Sequence, residues 1–312
     1  MKVCFIDKTE FQYNYQDINK PFIRGAENIL INLSLGISEL GHEVVVFNNC
    51  SNEHKSRNYS WLNIKRIDYN DTYFDIAISN NDTRLLDKIN STKKYVISHS
   101  LQNIEKFIRK KISNIFPHHK ILGEEMKDKR TNSDYTWIID PIDGTKNFLM
   151  GMPVWSNLIG LFHKNISIAG LANYPVLNVY YLSLKSKTFK YNKNKKMQIK
   201  CNKKTNKNIK IVINTLRTYK DNKVKKIERK QKGIFKITGM DSLNFCLLAE
   251  GKIDLIIEKG LKKVDFFPLI SIIENSGAII TDWTGKKIFK NGDVLVSGSK
   301  KKHLEFLNIL NS

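Results

Sequence analysis

The period of the apolar positions changes several times along the first hundred residues. Residues 2–6 and 42–47 are short apolar runs of strand type, and residues 74–79 and 95–98 add two more. Between the first two, Ile29, Leu30, Leu33, Leu35, Ile37 and Leu40 recur at helical spacing, after a loop with Pro21 and Gly25. Gly41 stands where a helix ends in a left-handed residue. Strands separated by helices predict a parallel sheet with right-handed crossovers.

Beyond residue 100 the pattern differs. Ile104, Phe107, Ile108, Ile112 and Ile115 share one helical face, which Phe116-Pro117 ends. Residues 135–139 predict a strand that delivers Asp140-Pro141-Ile142-Asp143-Gly144-Thr145. A further strand is predicted over 252–258, and Val264-Asp265 leads into a helix over 266–275.

The length of 312 residues suits one large domain or two ordinary ones, and 41% hydrophobic with 26% charged residues excludes a wholly disordered chain. No run approaches the ~18 apolar residues of a membrane-spanning helix, and the first residues meet a charge too soon for a signal peptide. Cys4, Cys50, Cys201 and Cys246 lie far apart, which argues against a zinc or disulfide framework and for a reducing, cytoplasmic setting. The formal charge is +22, a first sign of a nucleic-acid binder. The lysines, however, are mixed with asparagine and isoleucine along most of the chain. Their densest stretch, 185–210, carries Phe189 and Tyr191 and reads first as a solvated hairpin edge, where lysine also blocks aggregation. A nucleic-acid groove is the less favoured reading.

Candidate chemistry gathers at 140–145. Pro141 keeps Asp140 out of helical geometry, so the chain is expected to turn sharply and aim both aspartates and the Ile142 carbonyl at one point. Oxygen-only ligands suit a hard cation, and Mg²⁺ accepts a few carboxylates plus water and phosphate. Gly144 and Thr145 offer backbone N–H groups at a helix start, an anion site. A lone Asp-Pro or Gly-Thr would be a turn and a cap; the string WIIDPIDGTKNF at 137–148, preceded by GEE at 123–125, is far more specific. Glu125, Asp254, Asp282, His118, His119 and His163 read as structural or surface groups, as do Trp137, Trp155 and Trp283.

These strings, with the segment at 238–286, closely resemble the inositol monophosphatase superfamily of magnesium-dependent phosphatases over residues 104–312. GMPVW at 151–155, LANYPVLNVYY at 171–181 and the stretch 258–283 look most like its histidinol-phosphate phosphatase branch. The resemblance implies that Glu124, Asp140, the Ile142 carbonyl, Asp143 and Asp265 hold two or more Mg²⁺ ions. It implies that Gly144 and Thr145 contact phosphate, with the Thr145 hydroxyl helping to orient the attacking water. It places Glu258 at the substrate's alcohol portion, with Gly239 and Asp241 lining the same pocket; Asp241 reads equally as a helix N-cap.

Residues 1–103 resemble the N-terminal Rossmann-like domain of nucleotide-sugar glycosyltransferases, through Arg24-Gly25-Ala26-Glu27, Gly41-His42-Glu43-Val44 and the stretch 73–82. Nothing after residue 110 resembles the second domain of that family. The phosphatase family's usual opening segment, with a T-x-A-D-type acid that partners the threonine, has no counterpart in residues 1–103. Val264 replaces the usual aromatic before Asp265, and Asn157 stands where a Gly-Thr pair is commoner.

The expected architecture is therefore α/β: a truncated Rossmann-like domain at 1–103, then a layered α/β inositol-monophosphatase-like domain at 104–312 that lacks its usual opening segment. The expected activity is Mg²⁺-dependent hydrolysis of a small phosphorylated metabolite by metal-activated water, with histidinol phosphate first and inositol phosphate second. A membrane partner is not expected; phosphatases of this type often dimerise, and the sequence leaves the oligomeric state, a homodimer included, open. The alternatives are a catalytically impaired fusion with a binding role and a glycosyltransferase-related protein.

Overall fold

Two units pack separately, Met1–Phe107 and Ile108–Ser312. The computed structural model describes every residue except 19, 21–24, 81, 98–100, 194 and 205–207. Part of the sugar-transferase-like signature, Arg24 above all, lies outside the described residues, as does the end of the strand expected at 95–98.

The first unit holds β1 (Lys2–Asp7), α1 (Gly25–Glu39), β2 (Glu43–Asn48), β3 (His54–Lys55), β4 (Tyr59–Asn63), β5 (Tyr73–Asn80) and β6 (Asn90–Ile97). The sheet order is β3-β4-β2-β1-β5-β6, and every pairing but β3–β4 is parallel. The order reverses at β1, the mark of a doubly wound sheet. Val3, Phe5, Val44, Val46 and Trp61 pack on one face and Cys4, Ile6, Phe47, Phe74 and Ala77 on the other, as expected of strands covered on both sides. Gly41 ends α1 in the left-handed region at φ +84, with its N–H on the Ser38 carbonyl. Sequence reading missed β4. Its Ser60 and Asn63 interrupt the apolar run, and its burial comes from pairing with β2.

In the second unit α2 (Leu101–Ile115), which crosses the unit boundary, is followed by β7 (Lys120–Gly123), β8 (Tyr135–Asp143), α3 (Thr145–Leu149), β9 (Ser156–His163), β10 (Ile166–Tyr174), β11 (Val179–Leu184), β12 (Lys187–Asn192) and β13 (Lys195–Gln198). These strands form one sheet in the order β13-β12-β11-β10-β9-β8-β7, antiparallel except for β7–β8. A second sheet follows from β14 (Ile209–Ile213), α4 (Leu216–Tyr219), α5 (Asn222–Lys230), β15 (Gly233–Ile237), α6 (Ser242–Ala249), β16 (Leu255–Leu261), α7 (Lys263–Asn275), β17 (Ile279–Thr281), β18 (Gly292–Ser297) and α8 (Lys300–Asn311). Its order is β15-β14-β16-β18-β17.

One core joins the two sheets through α6 and α7: Leu158, Phe162 and Ala172 from the first, Ile256 and Val296 from the second, and Cys246, Phe266 and Leu269 between them. The other face of the second sheet packs α5 and α8 through Val224, Ile227, Phe306 and Leu310. On the outer face of the first sheet, Ile108 and Ile112 of α2 cover Ile121, Trp137 and Ile139. The seat of α7 is unusually close. A Cβ on Gly170 would stand 2.2 Å from the Pro268 carbonyl oxygen, and one on Gly160 would stand 2.8 Å from Pro268 Cα. Two glycines thus let α7 lie directly on β9 and β10, and α7 carries Asp265 in its first turn.

Candidate active site

The strand bearing the aspartates does not turn sharply at Pro141, as the sequence suggested. It runs on through Asp143, and the register against β9 slips between Asp140 and Asp143. Asp140 pairs with Leu158 and Asp143 with Ser156, so the β8 side carries one extra residue, a bulge. The bulge is tied down by the Ile142 N–H donating to Asp140 Oδ1 at 3.0 Å and by Asn157 Nδ2 donating to the Pro141 carbonyl at 2.7 Å. Both aspartates are buried, Asp140 at 1% exposure and Asp143 at 7%.

Gly144, left-handed at φ +78, caps α3, and Thr145 is the first helical residue rather than the cap. The Thr145 hydroxyl donates to the Ile142 carbonyl at 3.0 Å. Gly144 is required on space as well as conformation, since a Cβ there would come 2.9 Å from Asp241 Oδ2.

Glu124 follows directly on β7. Its Oε1 lies 2.8 Å from Lys262 Nζ, while the Lys262 backbone N–H donates to Asp265 Oδ2 at 2.9 Å. Asp241 precedes α6, yet its carboxylate makes no cap bond to that helix. Its backbone (φ +43, ψ −125) turns the side chain toward Asn147 Nδ2, at 3.1 Å, and Asn214 Nδ2. The orphan N–H of Ser242 at the start of α6 donates instead to Asp143 Oδ2 at 3.0 Å. Glu258, 1% exposed in β16, accepts from the Asn214 N–H and from Thr218 Oγ1.

One cavity of about 450 Å³ collects these groups. Glu124, Asp140, Ile142, Asp143, Gly144, Thr145, Gly239, Asp241, Glu258 and Asp265 all line it. Sequence reading missed Asn147, Asn214 and Thr215 in the wall. Asn214 had a usable signal, for it ends the apolar run of β14 just as Asp140 lies toward the end of its own strand. Lys262 was also overlooked, although it stands three residues before Asp265. The groups set aside as structural stay away from the cavity: Trp137 Nε1 donates to His119 Nδ1, and Asp282 closes the turn at Thr284. His163, set in the apolar strand β9 and so expected to be a satisfied core residue, is not in the core. It stacks half-buried on Tyr135, because it ends β9 where the sheet meets solvent.

The electrostatics are those of crowded acids. Burial pushes Asp140 well above the usual carboxylate range, and the charges of Asp143, Glu124 and Asp265 add to the shift. Burial likewise raises Asp143 to about 8, helped by Asp241 and opposed by the hydrogen bond from Ser242. Asp265 rises to about 6 and Glu258 to about 8, again from burial first. Such a cavity favours positive charge, and its all-oxygen donors match a hard divalent cation. The fit lies in donor chemistry and charge. Among the described residues no three carboxylate, imidazole or thiol groups are arranged to hold an ion as they stand. Glu124 is engaged by an internal cation, the Lys262 ammonium, and would have to leave it.

The sequence matches the inositol monophosphatase family over residues 73–311, reaching back to β5 of the first unit. A chloroplastic bifunctional phosphatase of Arabidopsis thaliana is 36% identical over 174 residues, 55% of this chain and 50% of that protein. The chain thus spans half the length of that relative. A histidinol-phosphatase of Chlorobaculum parvum is 27% identical over 64% of this chain and 76% of its own. Among solved structures, an inositol monophosphatase from Zymomonas mobilis superposes with a TM-score of 0.60 at 25% identity, covering 69% of this chain and 86% of that one. No described helix is long and apolar enough to cross a membrane. With well over half of its length matched, the chain belongs to the inositol monophosphatase family.

Proposed function

We propose that the protein is a Mg²⁺-dependent phosphomonoesterase whose first substrate is histidinol phosphate and whose second is an inositol phosphate. The observation that carries this reading is the set of carboxylates, buried Asp140 and Asp143 and half-buried Asp265, lining one cavity with Glu124 and the Gly144-Thr145 turn. Glu124, Asp140, the Ile142 carbonyl, Asp143 and Asp265 would hold the metal. When bound, a divalent ion supplies Lewis acidity toward water and the phosphoryl oxygens. The chain's own contribution is to position and to exclude water. Gly144 and Thr145 present backbone N–H groups to the phosphoryl group. Asn147 and Asn214 hold Asp241 at the wall. Glu258 and Asp241 face the alcohol end, where the cationic ammonium of histidinol would draw these raised carboxyls into their ionised form, an interaction that a neutral polyol lacks.

The test is phosphate release from both esters, with and without Mg²⁺, in the wild type and in Asp140→Asn. Metal-dependent release that the substitution abolishes is the expected result; release that survives it refutes the assignment. A preference for histidinol phosphate of about tenfold or more in kcat/KM is expected, and Glu258→Gln should shrink it.

One observation favours a second reading, a catalytically impaired member with a binding role. The Thr145 hydroxyl donates to the Ile142 carbonyl, and no carboxylate of the described residues is bonded to it. Ordinary turnover would exclude this reading.

A further inference from the structure

On sequence alone the lysines read as a bias spread over the chain. Their balance with acids says otherwise. Residues 144–220 contain 15 Lys and Arg and no Asp or Glu, so of the net +22 only 22 − 15 = 7 charges fall on the other 235 residues. The excess is concentrated, and the strands β10 to β13 lie within that segment.

Strand register shows what this region presents. Tyr180 stands opposite Tyr191, and Tyr191 opposite Lys196, so the three form one row across β11, β12 and β13. Leu182, Phe189 and Gln198 form the adjacent row on the same face. The opposite face is committed inward: Lys190 pairs with Glu250, and Thr188 Oγ1 donates to the Ile272 carbonyl of α7. The outer rows therefore face away from the core. Tyr180, 37% exposed, and Tyr191 stack with centroids 4.4 Å apart and planes 9° apart. Lys196 Nζ sits 4.2 Å over the Phe189 ring and 5.7 Å from that of Tyr191. Lys185, Lys187, Lys193 and Lys195 surround the rows, all exposed and, among the described residues, without an ion pair. β13 is the sheet's edge, exposed throughout.

We propose that the outer face of β11–β13 binds single-stranded nucleic acid, with bases extending the Tyr180–Tyr191 stack and phosphates on the surrounding lysines. Aromatic rings on neighbouring strands of an open sheet give bases a stacking platform, and unpaired lysines at its rim supply the charge that the backbone needs. A duplex hides the base faces and gains only from the lysines. An anionic membrane likewise uses charge without ring stacking, so the rings decide between these partners and a single strand.

The experiment is fluorescence anisotropy of labelled oligo(U) and oligo(dT) of about 15 nucleotides with the full chain. Binding is expected to weaken between about 50 and 200 mM KCl. Lys195→Gln with Lys196→Gln should weaken it about tenfold and flatten the salt dependence. Tyr180→Leu with Tyr191→Leu should weaken it roughly fivefold or more with the salt dependence intact, because stacking carries no counterion release. The far-ultraviolet spectrum and melting temperature of each variant verify its fold, and Tyr191→Leu alone serves if the double change unfolds. Four results overturn the proposal: no binding at low salt, equal or tighter binding of the matching duplex, indifference to the tyrosine changes, or binding only to vesicles containing phosphatidylglycerol.

Discussion

Lys262 places its ammonium 2.8 Å from Glu124 Oε1, across 138 residues of chain, beside a cavity that already holds Asp140, Asp143 and Asp265. The same residue's backbone N–H fixes Asp265. One side chain thus stands in for part of the positive charge that the acids call for, and a metal that recruits Glu124 must displace it.

Lys262→Met should therefore tighten Mg²⁺ binding while lowering the melting temperature of the metal-free protein. The Lys262 side chain is 65% exposed, so solvent screens the pair and the gain is modest, on the order of two- to fivefold in Kd. Isothermal titration with Mg²⁺ measures it directly. Unchanged affinity would reduce the pair to an ordinary surface contact.

Asp140→Asn separates catalysis from stability. Asp140 is buried among Asp143, Glu124 and Asp265, and its Oδ1 accepts the Ile142 N–H, a bond that asparagine can keep. The metal-free variant should melt no lower than the wild type, because a crowded acid has gone. Added Mg²⁺ should no longer raise its melting point as it does that of the wild type. A variant that unfolds would assign Asp140 a structural role instead.

Gly170→Ala tests the seat of α7. The new Cβ would lie 2.2 Å from the Pro268 carbonyl oxygen, a backbone atom that cannot swing aside. The helix must lift, and Asp265 in its first turn moves with it. A loss of roughly 2–4 kcal/mol in denaturant unfolding is expected, with Mg²⁺ affinity falling too. Gly36→Ala, where nothing lies within 4 Å, is the control and should be neutral or slightly stabilising.

Much of the candidate site was legible because its key residues are contiguous, from Asp140 to Thr145, although the sequence suggested a sharp turn there and the bulge shows only in the register against β9. Asp265 was legible from its place just before an apolar helical run. What escaped was whatever depends on distant convergence. Asn214 and Thr218 meet Glu258 across some forty residues, and no local pattern marks that meeting. Asp241 read equally as a pocket-lining acid and as a cap, because aspartate suits the cap position. Its positive φ aims the carboxylate elsewhere, and Asp143 serves the first N–H of α6 in its place. In the first unit the strand and helix periods gave the parallel sheet, while β4 was hidden by the polar residues in its run.

The buried acids also predict a pH dependence whose sign is unusual for carboxylates. Asp143 and Glu258 titrate near 3.8 and 4.5 when unfolded and are raised to about 8 in the fold. Between these limits the native state holds protons that the unfolded chain has lost. Their stabilisation is thus complete below the unfolded values and disappears as pH rises through about 8. His303, buried and lowered to about 4, acts in the opposite sense, with stability present above 6.5 and lost as pH falls. The window from 6.5 to 8 therefore isolates the carboxylates. Metal-free protein should lose on the order of 3 kcal/mol across it, read from urea unfolding at fixed ionic strength. Saturating Mg²⁺ should abolish the decline, since the ion favours the ionised acids and binds more tightly as pH rises. Asp143→Asn combined with Glu258→Gln should make the metal-free decline shallower, with Asp140, also raised by burial, keeping its share. A metal-free protein that grows more stable from about pH 6.5 to 8 would mean that these acids are ionised and already neutralised from within, with Lys262 contributing more than its exposure suggests.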